Sequence, residues 1–462
     1  SLRLRFPDRR PMNPAFRRQR PLLPWLVIAL LAVMTLGLAG MWKVMPIQPG
    51  VDFYQMWGIA KMERASGYRL GSPYRNQDAY QAQLLKTVAE RDDRRLAFAV
   101  ANRQRPDPTG TPLLYYLMGC LPDTYSSTLT AYRIVQVAAF VLSLLILTRP
   151  LKLGMATQTA LIIALTLSFA PLPFDVGLGN LNCLQLLGLV HAADLMERER
   201  QGRLTLSPLL LAWLTALLVL MALAKPNFVF ADALLGFHLL LYHRRHAAMI
   251  LACAAASFLL LVMLGAAPFH SLLVWRDWWD LVFSSSATGL LDRPIEAGNY
   301  STVRLLLDLG MTHGQAMLLI AGCLLLPLIG LLRPPGLASR WSNLDRTLSD
   351  PVFHAAAGVV LSLATSPLVW EHYQLLAVIP ALWLCRAGAT GWGALGWLSL
   401  LAFADLPENF NSFAGHIPGW LMILNHSFCW LPLWIGMVMQ ATAPLAPEDA
   451  DAMELRPHSA AA

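Results

Sequence analysis

The residues best suited to chemistry are few, and they stand at the ends of long apolar runs. Asp52 opens the polar segment VDFYQMW (51–57), where a carboxylate among aromatic rings can act as a general base, or can simply cap a helix and face water. Lys225, followed by Pro226, divides two apolar runs. Its ammonium suits an anionic partner such as a lipid phosphate, and snorkelling to the membrane interface is the plainer alternative. In SPLVWEHYQLL (366–376), Glu371 and His372 are flanked by Trp370 and Tyr373, and imidazole is the side chain most easily poised near neutral pH. The turn FDVGLGNLN (174–182) presents the amides of Asn180 and Asn182 after glycines that permit close backbone approach. Asn-capped turns of this kind also occur without function.

Further candidates lie in the remaining polar stretches. GNYSTVRLLL (298–307) carries Asn299, Ser301 and Arg304, types that bind hydroxyls and phosphate, and GYRLGSPY (67–74) is a turn-rich piece ending in Tyr74. RDWWD (276–280) adds Asp280 as a reserve carboxylate. The charged stretch from Lys86 to Arg105 reads as a solvated amphipathic helix. There is no Walker loop, HExxH or serine nucleophile elbow, and no soluble nucleotide-sugar domain. No metal ligand is assigned and no cofactor is called for.

These residues must be held by helices in lipid. Of the 462 residues 56% are hydrophobic and only 14% charged, and the mean hydropathy is +0.49, more apolar surface than a soluble domain can bury. Runs at 25–46, 127–148, 155–173, 181–196, 206–224, 227–242, 247–267, 313–332, 352–369, 373–386, 390–404 and 419–440 give about twelve spans. The net charge of +7 resides in short loops between these runs, which suits membrane orientation and not nucleic acid. The six cysteines stand singly in apolar stretches and read as small packing residues.

The chain divides into a basic cytoplasmic tail (1–24), a membrane domain (25–442) whose first external loop is 47–126, and a cytoplasmic C-terminal tail (443–462). Seven arginines in the first tail fix that end inside, and the basic connections at 149–152, 197–203, 243–246 and 333–346 then fall inside too. This requires that TPLLYYLMGCLP (111–122), about twelve residues, does not cross the membrane. Asp52, Lys225, Glu371 and His372 then share the outer face, with 174–182, 268–312 and 405–418, and one outward-facing site with a cavity would account for them.

Taken in order, VDFY, GSPY, the short apolar segment 111–122, GLGNLN, ALAKPNF, GNYS and SPLVWEHY resemble glycosyltransferase family 87 of the GT-C superfamily, polyprenyl-phosphate-mannose-dependent mannosyltransferases among them. The resemblance implies an all-α polytopic membrane protein with the GT-C fold, juxtamembrane helices in a long first external loop, and a catalytic carboxylate at Asp52. The family's Lys-Pro pair falls on Lys225 and Pro226, and its aromatic-x-His segment falls on Trp370 and His372. Asn180 stands where the family pattern expects Gln, and Thr111-Pro112 where it expects a Tyr-Pro-Pro run. The implied reaction is an inverting transfer of a hexose, mannose being the expected sugar, from a polyprenyl-phosphate donor to a lipid or glycan acceptor. The implied setting is the outer face of a bacterial inner membrane, among membrane lipids. Asp52 would take the acceptor proton and Lys225, aided by Arg304, would stabilise the leaving phosphate; His372 would bind that phosphate or orient the sugar. A transporter or flippase of a lipid-linked sugar is the competing expectation, though no repeat relates the two halves.

Overall fold

A computed structural model describes residues 22–90, 93–102, 108–283, 299–332, 344–388, 391–404 and 419–443. The two tails, most of the basic connection 333–346 and the segment 405–418 lie outside the described residues. The described elements are all helical: α1 (Leu22–Val44), α2 (Val51–Ala65), α3 (Gln77–Glu90), α4 (Arg94–Asn102), α5 (Pro112–Gly119), α6 (Tyr125–Thr148), α7 (Met155–Ser168), α8 (Pro171–Leu178), α9 (Asn182–Arg200) and α10 (Pro208–Ala224). They continue as α11 (Val229–Tyr242), α12 (Ala247–Ala266), α13 (Leu273–Phe283), α14 (Thr302–Asp308), α15 (His313–Leu325), α16 (Pro351–Thr365), α17 (Val378–Cys385), α18 (Trp392–Ala402), α19 (Gly419–Ser427) and α20 (Trp430–Thr442).

Membrane character is carried by helices with apolar side chains on faces the protein leaves open. Only 6% of the apolar window in Arg244–Phe269 is buried, with Leu251, Leu259, Leu260 and Met263 all more than half exposed; a helix apolar all round and uncovered by protein belongs in lipid. Among the described residues two helices, Tyr125–Leu151 and Arg244–Phe269, are long and apolar enough to cross, and up to five spans result if each bent pair is one span. Helix length therefore does not reproduce the expected twelve. The reason is that apolar runs are interrupted: 155–173 is two helices bent by 57° at Pro171, and the junction at Pro226 bends the chain by 114°, since proline removes a helical N–H and clashes with the preceding turn. The run expected as one helix over 373–386 begins as a 3-10 segment, Glu371–Ala377, before α17.

Two apolar cores result. The larger joins α1, α6 through α11, α14 to α18 and α20; the smaller joins Phe53, Trp57, Tyr80, Tyr115, Tyr125 and Trp278, so the stretch 47–126 is itself a folded layer packed on residues 266–281. In that layer α5 has eight residues, about 12 Å of rise, far short of about 30 Å of hydrocarbon. Thr111 caps it by accepting from Leu114 N at 3.2 Å. At its other end Lys61, only 4% exposed, donates to Gly119 O at 2.9 Å and to Leu121 O, and pairs with Asp123 at 2.8 Å, a cation placed where a helix C-terminus favours one.

The charged stretch 86–105 is not one solvated helix. It divides between α3 and α4, and Asp93 accepts from Leu96 N at the start of α4 and from Ser126 N and Oγ at the start of α6. Burial works to raise the Asp93 pKa, yet these hydrogen bonds to its charged form hold it below the usual carboxylate range.

Candidate functional site

The site forms where three chain breaks meet. The first is Gly50, in the left-handed region at φ 67°, where an added Cβ would lie 2.7 Å from Leu129 Cδ1. It starts α2 and sets Asp52 in the first turn, where the unpaired N–H groups favour a carboxylate. The second is Gly179, at φ 72°, which ends α8 with its N–H on Asp175 O at 2.9 Å. A Cβ there would come 2.6 Å from Phe53 Cβ, so only glycine lets the turn lie against α2 and deliver Asn180 to Asp52. FDVGLGNLN is accordingly not one turn: residues 171–178 are helical and the turn is confined to 179–181.

The third break is Lys225. Pro226 pushes the preceding residue out of the helical region, and Lys225 is extended at φ −151°, ψ 94°. The freed carbonyls are satisfied from two sides: Thr111 Oγ1 donates to Ala224 O at 3.1 Å and Gln185 Nε2 donates to Lys225 O at 3.0 Å. The ammonium turns inward, to Asn180 Oδ1, to Asn182 Oδ1 at 2.6 Å, and over the Tyr373 ring 4.8 Å from its centroid.

Asn180 is the hub. Its Nδ2 donates to Asp52 Oδ2 at 2.7 Å and lies 3.1 Å from His372 Nε2, while its Oδ1 accepts from Lys225 Nζ and from Leu181 N at 2.7 Å. Ammonium and backbone N–H only donate, so the carbonyl oxygen must face them and the amide hydrogens must face Asp52 and His372. It follows that His372 Nε2 accepts and carries no proton. The imidazole is then neutral and holds its hydrogen on Nδ1, so the 3.9 Å approach of Nε2 to Asp52 Oδ2 is not an ion pair in this state. Asn182 completes the frame by donating to Asp175 Oδ1 at 2.8 Å and to His372 O at 2.9 Å.

Asp52, Asn180, Asn182, Lys225, His372 and Tyr373, from four separate stretches of the chain, thus meet in one cluster. The cluster is tightly packed: Asn180, Asn182, Lys225 and His372 are all 9% exposed or less, while Tyr373 is partly exposed and the Asp52 carboxylate is 26% exposed. Trp370 sits at the N-cap of the 3-10 segment and Glu371 in its first turn, both half-buried.

The other candidates have different jobs. Asn299 is fully buried; it donates to Pro367 O at 3.2 Å and accepts from Val369 N at 2.9 Å, while Ser301 Oγ donates to Ser366 O at 2.5 Å. GNYS is therefore a clamp on the segment leading to His372, not a set of open hydroxyl and phosphate ligands. Arg304 pairs with Asp308 one turn along α14. Tyr74 donates to Gly110 O at 2.7 Å within the smaller core. Among the described residues no group of three or more His, Cys, Asp or Glu side chains could hold a metal ion.

Sequence reading passed over the supports. Asp175, fully buried, binds Asn182 and Cys183 N, and Gln136 and Tyr132 donate to Asn180 O at 2.5 and 2.9 Å. Their signal was present: Arg133 and Gln136 are three apart within an apolar helix, where polar side chains need a reason.

The fold and site define an all-helical protein, membrane-embedded by its uncovered apolar helices, with one polar cluster built on helix breaks. No protein-family model matches the chain, and no curated protein or solved structure matches it either.

Proposed function

We propose that this protein is a GT-C-type membrane glycosyltransferase of about twelve membrane helices, which transfers a hexose, mannose in the first instance, from a polyprenyl-phosphate donor to a lipid or glycan acceptor on the outer face of a bacterial inner membrane. The observation that carries the reading is the convergence of Asp52, His372 and Lys225 on one amide, Asn180. It brings a partly exposed carboxylate, a neutral imidazole and a buried ammonium into one small volume, which supports a single displacement at an anomeric carbon.

In this mechanism the acceptor hydroxyl approaches Asp52, which takes its proton as the oxygen attacks the anomeric carbon and the phosphate leaves from the opposite side. Lys225 is held by the amide oxygens of Asn180 and Asn182, and its charge would offset that of the phosphate. Its polarisation of Asn180 also strengthens the N–H bonds that orient Asp52 and His372. Asn182 and the Asn299 clamp hold the His372 segment in register.

The test is radiolabelled sugar transfer from a synthetic polyprenyl-phosphate mannose into a lipid extract by wild type, Asp52→Asn and Lys225→Ala. A loss of about 10² to 10⁴ in rate for Asp52→Asn, with expression intact, is expected for a general base. Near-wild-type turnover of that variant would move the base elsewhere. Translocation of a lipid-linked sugar without any glycosidic product from the wild type would favour a flippase.

A further inference from the structure

A groove of about 530 Å³ opens along α6, with Val176 of α8 in its wall. Thr130, Arg133, Ile134, Val137 and Val141 line it, a spacing that keeps them on one helical face. Along that face the character changes. Thr130 and Arg133 lie near the α6 N-terminus, where Arg95 of α4 closes the groove, and the walls deeper along the helix are aliphatic. Ile134 is 66% exposed, so the groove faces outward on a helix apolar enough to cross a membrane.

The arginines are the informative part. Arg133 is only 5% exposed. Its Nε donates to Val176 O at 3.0 Å and its Nη2 to Gln48 O at 3.0 Å and Gly177 O at 2.7 Å, yet Nη1 is buried with no partner among the described residues. Arg95 donates to Thr130 Oγ1 at 3.0 Å, to Ser126 O at 3.4 Å and to Pro46 O. All these acceptors are neutral oxygens, and no acidic residue lines the groove. Two buried or half-buried guanidinium groups without a counter-ion among the described residues, one with an unused N–H pair, call for an anion, because a buried charge left unpaired is costly. An aliphatic channel running from that point calls for a hydrocarbon chain.

We propose that this groove is a binding site for an anionic phospholipid of the surrounding bilayer, with the phosphate against the Arg95 and Arg133 guanidinium groups and one acyl chain along Val137 and Val141. The inference rests on the protein being in a membrane and not on sugar transfer. Occupancy would brace the α8 to α9 turn, since Arg133 holds the carbonyls of Val176 and Gly177, and would thereby stabilise the placement of Asn180.

The experiment measures lipid binding to the purified full chain in neutral detergent by native mass spectrometry and by thermal melting. The probes are phosphatidylglycerol, phosphatidylcholine of the same chains, inorganic phosphate and polyprenyl monophosphate. Phosphatidylglycerol should bind roughly tenfold more tightly than phosphatidylcholine, the scale of two basic residues at a lipid headgroup, and should raise the melting temperature where inorganic phosphate does not. Arg95→Gln should reduce that preference severalfold, and Ala138→Trp, at an exposed position beside the channel, should remove binding of both lipids while leaving the fold intact. Equal binding of the two phospholipids, an unchanged preference in Arg95→Gln, or retention of both lipids in Ala138→Trp would overturn the proposal. Displacement of phosphatidylglycerol by a lower concentration of polyprenyl monophosphate would overturn it in favour of a donor-chain groove.

Discussion

Replacing Asn180 tests whether the cluster is a working assembly or only well-packed polar filler. The side chain makes four contacts, donating to Asp52 and His372 and accepting from Lys225 and Leu181 N. Asn180→Leu keeps the bulk and removes all four. Each hydrogen bond to a charged partner contributes about 1.5–3 kcal/mol, but Lys225 keeps Asn182 and Asp52 keeps access to water at 26% exposure, so we take one such bond, about 2 kcal/mol, as the net loss of stability. Asn180→Asp separates alignment from stability. Its carboxylate can pair with Lys225, so the melting temperature should fall less than in the leucine variant, yet it removes the donor to His372 and sets a like charge about 2.7 Å from the Asp52 oxygen. Donor turnover should fall at least 100-fold in the aspartate variant, about 2.7 kcal/mol at 1.36 kcal/mol per decade, and about tenfold or more in the leucine variant, mainly in kcat because the reacting groups are misaligned. The assays are sugar transfer at saturating and limiting donor and melting in detergent. Transfer within threefold of wild type in either variant would refute the claim that Asn180 aligns the site.

Gly179→Ala should destabilise the protein by about 1–3 kcal/mol, and should depress transfer beyond that loss, because the new Cβ meets Phe53 and shifts Asn180; melting and activity on the same preparation check both. Lys61→Met leaves Asp123 and two carbonyls without their cation, and should cost about 2–4 kcal/mol in stability, read from detergent melting midpoints. Asp93→Ala should cost about 1–2 kcal/mol as two helix starts lose a cap. Because the Asp93 pKa is lowered on folding, its contribution is full above the unfolded value of about 3.9 and disappears as pH falls through the lower folded value, so wild type and variant should converge in stability in acid. For topology, single cysteines at Arg69 and Thr124, both exposed and on either side of 111–122, in a chain freed of its own cysteines should label from the same side of the membrane; labelling from opposite sides would overturn the reading that 111–122 does not cross.

Composition already points to lipid, because the chain is more apolar than an ordinary water-soluble domain. The residue types at the ends of the apolar runs also identify much of the site: Asp52, Asn180, Asn182, Lys225 and His372 are visible in the sequence because a charge or amide beside a long hydrophobic run is expensive without a partner. Sequence could not say that one amide joins three of them, since contacts between positions 52, 180, 225 and 372 depend on how helices cross. Nor could it separate reactive groups from braces. Asn299, Ser301 and Arg304 have the chemistry of ligands, and only the folded chain shows two of them clamping residues 366–369 and the third paired with Asp308. Hydropathy counts apolar residues without seeing where backbone hydrogen bonds stop, so breaks at Pro171 and Pro226 left the number of straight spans undecided. Those same breaks make the cluster, because a helix that ends inside the protein exposes backbone groups and side chains that a continuous one would keep to itself.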